Sequence, residues 1–349
     1  MAKSYEISTN ERDFILEALK QGLRLDSRKL LQMRELDIKL DEKEFGVVEI
    51  SLGKTKLYIR VSSEIVQPYE DRPFEGIFQV STEISPMAAP FFESGSTGLS
   101  KSQTDEEILI SRLIEKAVRR SNALDLESLC IIAGSKVWSI RVDIQFLNYD
   151  GNFIDICCIG AMTALLHYKK PDCEVSGNDV IIYDTRQREP VPLSILHIPI
   201  CITFNFFNPN INSSKKVTSS NSNNSTNNNN NNSNDNEEEE EEQMITSGAT
   251  EENIKGDLNN EIILVDATLN EEQLSLGSMT LTLNKNKEIC QISKSGGLPI
   301  DASLIMQCCN YASNIAEELT DKINSLIKED LNKRKDSKMD KVLSATNDR

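Results

Sequence analysis

Tryptophan occurs once and histidine twice in the 349 residues, and aromatic side chains reach only 5%. The one tryptophan, Trp138, follows Val137 and precedes Ile140 by two, so it reads as core rather than as a base-stacking platform. His167 ends an apolar run and His197 lies in a strand-like one, and both read as structural. The eight cysteines lack zinc-knuckle spacing, and two sets, Cys157–Cys158 and Cys308–Cys309, are adjacent residues. They read as buried free thiols of a reducing compartment, with no metal and no other cofactor expected.

Positive charge is also scarce. The 38 Lys and Arg face 55 Asp and Glu, a formal net charge of −17. Residues 208–258 hold ten acidic and three basic side chains, so the rest of the chain is still about −10. That balance disfavours a protein that grips nucleic acid alone through a broad basic face. No apolar run approaches the ~20 residues of a membrane span, and the opening MAKSYEISTNERDF has no signal-peptide core. The expectation is a soluble intracellular protein with no membrane partner. A Walker loop, a strand-coupled Gly-x-Gly-x-x-Gly and a Gly-x-Ser-x-Gly elbow are all missing, and no cysteine has a basic neighbour to activate it.

What is present is well patterned. An amphipathic helix is expected over Glu11–Gln21, with Phe14, Ile15, Ala18 and Leu19 on one side, Thr9 or Asn10 as cap and Gly22 as stop. Strands follow at Leu36–Leu40, Gly46–Leu52, Lys56–Ile65 and Gly76–Glu83, the middle two joined by the Gly53–Lys54–Thr55 turn. A Pro-, Gly- and Ser-rich loop, Ser85–Thr104, leads into a helix over Asp105–Ser121. Its stripe is Ile108, Leu109, Leu113, Ile114, Ala117 and Val118; its other face carries Arg112, Glu115, Lys116, Arg119 and Arg120. Strands at Leu129–Ala133 and Lys136–Asn148, a helix over Ile154–His167, and strands at Val180–Asp184 and Ser194–Asn205 come next. After a break come strands at Ile262–Asp266, Ser278–Asn284 and Ile289–Lys294, then a helix over Ala302–Leu331. This order implies an α+β fold of mixed sheets with packed helices.

The break, 208–258, is an Asn/Ser tract followed by Glu237–Glu242. Such a composition cannot bury enough apolar surface to offset its ordering entropy, so it reads as a disordered insertion between strands, the other reading being an acidic partner-binding segment. The chain thus divides into 1–207, the insertion, 259–332, and a polar tail, 333–349, expected to fray.

Two short stretches stand out chemically. Leu147–His167 reads strand, Asp-Gly turn, helix, and a helix N-terminus can host an anion. In ILVDATLNEEQLSLG, Asp266, Glu271 and Glu272 cluster just past a strand, where an acidic loop can hold a divalent cation. On their own they are a turn and a solvated loop.

In series, the motifs say more. RLDSRKLLQMRELDI (Arg24–Ile38), STEISPMAAPFFESG (Ser81–Gly95), ISRLIEKAVRRS (Ile110–Ser121), the Asp150-Gly151 turn, ILVDATLNEE and ISKSGG resemble, in order, those of RNase PH-like ring subunits of the eukaryotic RNA exosome. The resemblance covers about Asn10 to Lys328 without the insertion and implies the RNase PH-like fold. Active members of that family use phosphate to attack the last phosphodiester at an RNA 3′ end, with Gly-Gly-Thr-Arg-Thr-Ala at the turn into the helix. Here the matching residues are Gly151, Asn152, Phe153, Ile154, Asp155 and Ile156. Ile154 stands at the arginine position, and Asp155 puts negative charge in the first helical turn, against phosphate. Losing one such arginine is worth on the order of 10³-fold in rate. The family's two carboxylates six positions apart correspond to Asp266 and Glu272, a relic pair, while Ser275 and Gly277 stand where further acids usually occur.

The resemblance therefore implies a non-catalytic ring subunit. Its partners would be the other RNase PH-like ring subunits, a cap protein, and RNA passing through the assembled channel. Arg112, Lys116, Arg119 and Arg120 would be the RNA-contacting residues, unless they form an ordinary solvated helix face. The locations implied are nucleus and nucleolus, and also cytoplasm. Two other readings compete: an active phosphate-dependent 3′–5′ exoribonuclease, and a free-standing RNA-binding adaptor. Ile154–Asp155 argues against the first, and the acidic balance and lack of a single-strand-binding module against the second.

Overall fold

The computed structural model describes residues 7–89, 101–177, 179–184, 187–208, 262–297 and 299–344. The Asn/Glu-rich insertion, much of the 85–104 loop and the last five residues lie outside them. Ser8, rather than Thr9 or Asn10, caps α1 (Thr9–Lys20). Its hydroxyl accepts from the Glu11 N–H while the Glu11 carboxylate accepts from the Ser8 N–H, a reciprocal capping box. The helix lays Ile15, Leu16 and Leu19 against Phe207 and Leu264, whereas Phe14 of the expected face is exposed.

The first sheet is built from β1 (Leu36–Leu40), β2 (Val47–Leu52), β3 (Thr55–Val66) and β4 (Ile77–Ile84), then, beyond α2 (Lys101–Arg119), β5 (Cys130–Ile132) and β6 (Lys136–Asn148). Its order is β1-β2-β3-β6-β4, with β5 also on β6. The alternating burial of β1, β2 and β3 matches a sheet with one covered face. Within this sheet β4 alone runs parallel to its neighbour, from Ile77 opposite Ser139 to Ile84 opposite Phe146, and β4 ends the sheet. Next come α3 (Phe153–His167) and four short strands, β7 (Lys169–Lys170), β8 (Cys173–Ser176), β9 (Asp179–Ile182) and β10 (Val191–Pro192). They form two ribbons, β7 with β10 and β8 with β9.

The second sheet takes β11 (Ile200–Phe207), β12 (Ile262–Val265), β13 (Gly277–Leu283) and β14 (Ile289–Ser295) in the antiparallel order β12-β11-β13-β14. Between β12 and β13 lies α4 (Leu269–Leu274), and α5 (Ala302–Ser344) closes the chain. Apolar on all sides, α3 packs on β2 and β3 with one face and on β11 with another, beside α2 and α5. It sits that close because residue 160 is glycine: a Cβ there would stand 2.3 Å from Ile59 Cδ1. Trp138 is a core residue, as its neighbours implied.

The structure departs from the sequence pattern elsewhere too, and α2 begins at Lys101, inside the loop expected to run to Thr104. The buried stripe of α2 is Ile110, Ile114, Ala117 and Val118, whose spacing keeps one face, while Ile108 and Leu109 are exposed. The strand expected from Ser194 begins at Ile200, because residues 194–196 instead pair with the Ala123–Asp125 segment. The acidic stretch after Asp266 is α4, a helix too short to show a period. Finally, α5 continues past Leu331 to Ser344.

Candidate functional site

Where β6 ends and α3 begins, the chain turns through Tyr149-Asp150-Gly151-Asn152. Gly151 has φ +81, and a Cβ on it would meet the Ala267 carbonyl oxygen at 2.7 Å. Only glycine lets this turn lie against the segment after β12. Thr55 at the β2–β3 turn fixes it from below: its hydroxyl accepts from the Asp150 N–H and donates to the Gly151 carbonyl at 3.0 Å. Asn152 also takes a left-handed conformation, φ 58, and occupies the N-cap of α3 without a capping side-chain bond.

That side chain is engaged elsewhere. Asn152 Nδ2 donates to Asp155 Oδ2 at 3.0 Å and to Asp266 Oδ1 at 2.7 Å, so one amide bridges two fully buried carboxyls. Asn152 Oδ1 is buried with no partner among the described residues. Asp155 reaches into the second sheet, where Oδ2 accepts from the Thr203 N–H at 2.9 Å and Oδ1 lies 2.7 Å from the Thr203 hydroxyl. Burial pushes its carboxyl up to about 7, against the pull of the Thr203 and Asn152 donors.

Asp266 is tied to the arginines of the Arg24–Ile38 stretch. Arg34 donates through Nη2 to Oδ1 at 2.7 Å and through Nε to Oδ2 at 2.9 Å, and Arg28 Nη1 lies 3.2 Å from Oδ2. Burial alone would raise this carboxyl, but the Arg34 bonds and charge outweigh it and hold it below the usual carboxylate value. Arg34 also donates to the Asp150 carbonyl at 2.8 Å, joining the two stretches. One turn on, Glu271 is buried in a two-pronged pair with Arg24, at 3.1 and 2.6 Å, while the same arginine donates to the Val265 and Asp266 carbonyls. Glu271 also completes a capping box with Thr268. The acidic stretch is therefore not a solvated loop; Asp266 and Glu271 are the anchors of an ion network.

Glu272 faces the turn instead, accepting from the Tyr149 hydroxyl at 3.1 Å. Burial raises its carboxyl, with Tyr149 and the Asn152 N–H working against that shift. Tyr149 stacks on Phe153 with centroids 3.8 Å apart, and Phe153 meets Phe146 edge-on at 4.4 Å. Ile154 packs with Ala117, Cys158 and Cys201 in a small apolar cluster. The structure thus brings Asn152, Phe153, Asp155, Asp266 and Glu272 together around one turn and directs Ile154 into the packing beside α2.

The basic residues of α2 stand apart. Ala117, against Ile154, is buried, whereas Arg112, Lys116 and Arg120 are exposed on the other face. Arg112 pairs with Glu115 at 2.9 Å and Arg119 with the same residue at 3.7 Å. Among the described residues no carboxylate stands within ion-pair distance of Lys116 or Arg120. Glu271, singled out with Asp266 and Glu272 as an acidic cluster, holds the turn together with five residues that the sequence pattern does not single out as site residues: Arg24, Arg28, Arg34, Tyr149 and Thr203. The Arg24/Arg28/Arg34 spacing was the available signal.

No group of three or more His, Cys, Asp or Glu among the described residues is arranged to hold a metal ion. No described helix is long and apolar enough to cross a membrane.

This geometry, two arginine-tied carboxyls beside a helix start at the junction of two sheets, coincides with a family match. The "3′ exoribonuclease family, domain 1" matches residues 32–171 and "domain 2" matches residues 256–315. The chain belongs to that RNase PH family. Within it, the chain falls among the RNase PH-like exosome ring components. It is 50% identical over 335 residues to "Exosome complex component RRP45" of Saccharomyces cerevisiae, covering 96% of this chain and 95% of that protein. It is 43% identical over 334 residues to the rrp45 component of Schizosaccharomyces pombe, with the same two coverages. In fold it resembles a chain of the "archaeoglobus fulgidus exosome with RNA bound to the active site", with a TM-score of 0.63 at 24% identity, over 90% of this chain and 97% of that one.

Proposed function

We propose that this chain is a catalytically silent structural subunit of the exosome ring. It pairs with the other RNase PH-like subunits, carries a cap protein, and offers RNA a path without cutting it. The observation that carries this reading is the turn into α3. Where the resemblance places an arginine there is Ile154, packed into an apolar cluster, and the next residue, Asp155, is a buried acid. Phosphorolysis accumulates negative charge on two phosphoryl groups, which needs cations and free N–H donors aimed at them. The arginines nearest the turn, Arg24, Arg28 and Arg34, are already committed to Glu271 and Asp266. Tyr149 and Phe153, stacked on each other, occupy the space beside them.

RNA contact, in this reading, belongs to Lys116 and Arg120, the exposed cations of α2 not tied to a neighbouring glutamate. The places of work are nucleus and nucleolus, and also cytoplasm, where a fluorescent fusion would show it. The test of silence is nucleoside diphosphate release from short RNA with phosphate and Mg²⁺ by the purified chain. The expected rate is background, and Ile154→Arg leaves it there, because Asp155 and Asp266 still face the turn. Release above background by the unmodified chain would restore the active-phosphorolase reading.

A further inference from the structure

Strand β4 ends the first sheet, and among the described residues no strand pairs with its outer edge. Its register with β6 is unbroken from Ile77 to Ile84, so the backbone N–H groups alternate strictly between the two edges. The Ile84 N–H points outward, because it donates to Glu107 Oε1 of α2 at 2.8 Å. By the same alternation the N–H groups of Phe78, Val80 and Thr82 also point outward. Glu107 covers only the far end of this edge; its carbonyl also takes the Thr82 hydroxyl at 2.7 Å.

Beside the uncovered part, from Ile77 to Ser81, lies a cleft of about 700 Å³ whose other wall is α2. Four arginines line it, Arg72, Arg112, Arg119 and Arg141, and they share only three carboxylates: Arg72 pairs with Glu75, Arg112 and Arg119 both with Glu115, and Arg141 with Asp143, so positive charge is in excess. In a chain of net charge −17 this is a local positive patch. Large apolar side chains are exposed at its rim, Tyr69 and Ile108 among them at 56% and 51%. Globular proteins seldom leave an edge strand, a positive cleft and exposed apolar groups together, because such an edge is a template for pairing.

We infer that this edge is a strand-addition site that takes an extended, acidic segment of a neighbouring polypeptide. Backbone bonds to Phe78 and Val80 would hold the segment, while the arginines meet its carboxylates. RNA is the poorer occupant. Its phosphates would use the arginines but have no use for a row of strand amides at a two-residue repeat. The inference rests on the ring-subunit reading in that it supposes a protein neighbour. It divides the α2 cations: Arg112 and Arg119 face the cleft, leaving Lys116 and Arg120 for RNA.

The test is amide hydrogen exchange at Phe78 and Val80, compared between the full-length chain alone, the chain with oligouridine, and the chain in its native assembly. Exchange should slow by about tenfold or more in the assembly and not with oligouridine. Two variants separate the occupants. Val80→Pro removes an outward N–H and is tolerated on an edge. Arg141→Glu reverses one surface charge, now paired to Asp143, without touching the ladder. A strand partner is weakened by both; RNA responds to the charge reversal alone. Should Val80→Pro melt early, Arg141→Glu and the exchange data still decide. An assembly that forms with Phe78 and Val80 exchanging freely overturns this inference and leaves the ring reading standing. A chain that forms no assembly defeats both.

Discussion

Asp155 sits at the centre of the turn, and its two oxygens see different things. Oδ2 accepts from two N–H groups, whereas Oδ1 faces the Thr203 hydroxyl, which lies 3.1 Å from the Thr280 hydroxyl. A proton on Oδ1 would donate to Thr203, which in turn would donate to Thr280, so the geometry accommodates the neutral acid favoured by burial. The unfolded carboxyl titrates near 3.8 and the folded one near 7, so the folded state holds its proton longer. Stability from this group is therefore full at low pH and is lost as pH rises from about 3.8 to about 7. Asp155→Asn, a stand-in for the neutral acid, should raise the free energy of unfolding at pH 8 by on the order of 2 kcal/mol and barely change it at about pH 3.5, below the unfolded pKa. Equal effects at both pH values would mean that the buried group is ionised throughout. Arg24 supports the opposite prediction. Its removal leaves Glu271 buried without its charge partner, and Arg24→Ala should lose about 3–5 kcal/mol in urea unfolding.

At the scale of elements, the far part of α5 is fastened to the β1–β2 turn. The Arg334 guanidinium lies 4.4 Å over the Phe45 ring, donates to Asp330 at 2.6 Å and to the Asp41 carbonyl, and stands 3.1 Å from His167 Nε2. His167 Nδ1 accepts from the Gly46 N–H. Burial, then the Arg334 charge, lowers the His167 pKa below 6.5, against the raising effect of Asp330 and Asp41. The unfolded imidazole protonates first, so stability from this contact is full above pH 6.5 and declines as pH falls below it. Arg334→Ala should raise the His167 pKa in an NMR titration and lower stability by about 1–2 kcal/mol. An unmoved pKa would show that the guanidinium does not face the ring in solution.

The elements also show what sequence carries. Strands β1, β2, β3 and β6 and helix α3 were legible because alternation and continuous apolarity are local signals. The parallel pairing of β4 was not, since a strand's direction depends on where the chain returns. Nor was the inward turn of Asp266 and Glu271: three acids in seven residues look solvated until Arg24, Arg28 and Arg34, more than two hundred residues earlier, are folded onto them. Ile108 and Leu109 misled for a related reason, as an apolar residue on a helix is core only when something packs against it.

Across the whole molecule, α3 lies between the two sheets and its first turn sits at their junction. At that helix start one amide, Asn152, bridges two buried acids. What such a body still presents are surfaces: the basic face of α2, the open edge of β4, and the outer strands of the second sheet. That is the outline of a subunit that works by being assembled. The most direct measurement is the native mass and composition of whatever co-purifies with a tagged copy of the full chain. The account predicts an assembly many times the 39.2 kDa of the chain, holding other RNase PH-like subunits. Recovery as a monomer or a simple homodimer would contradict it.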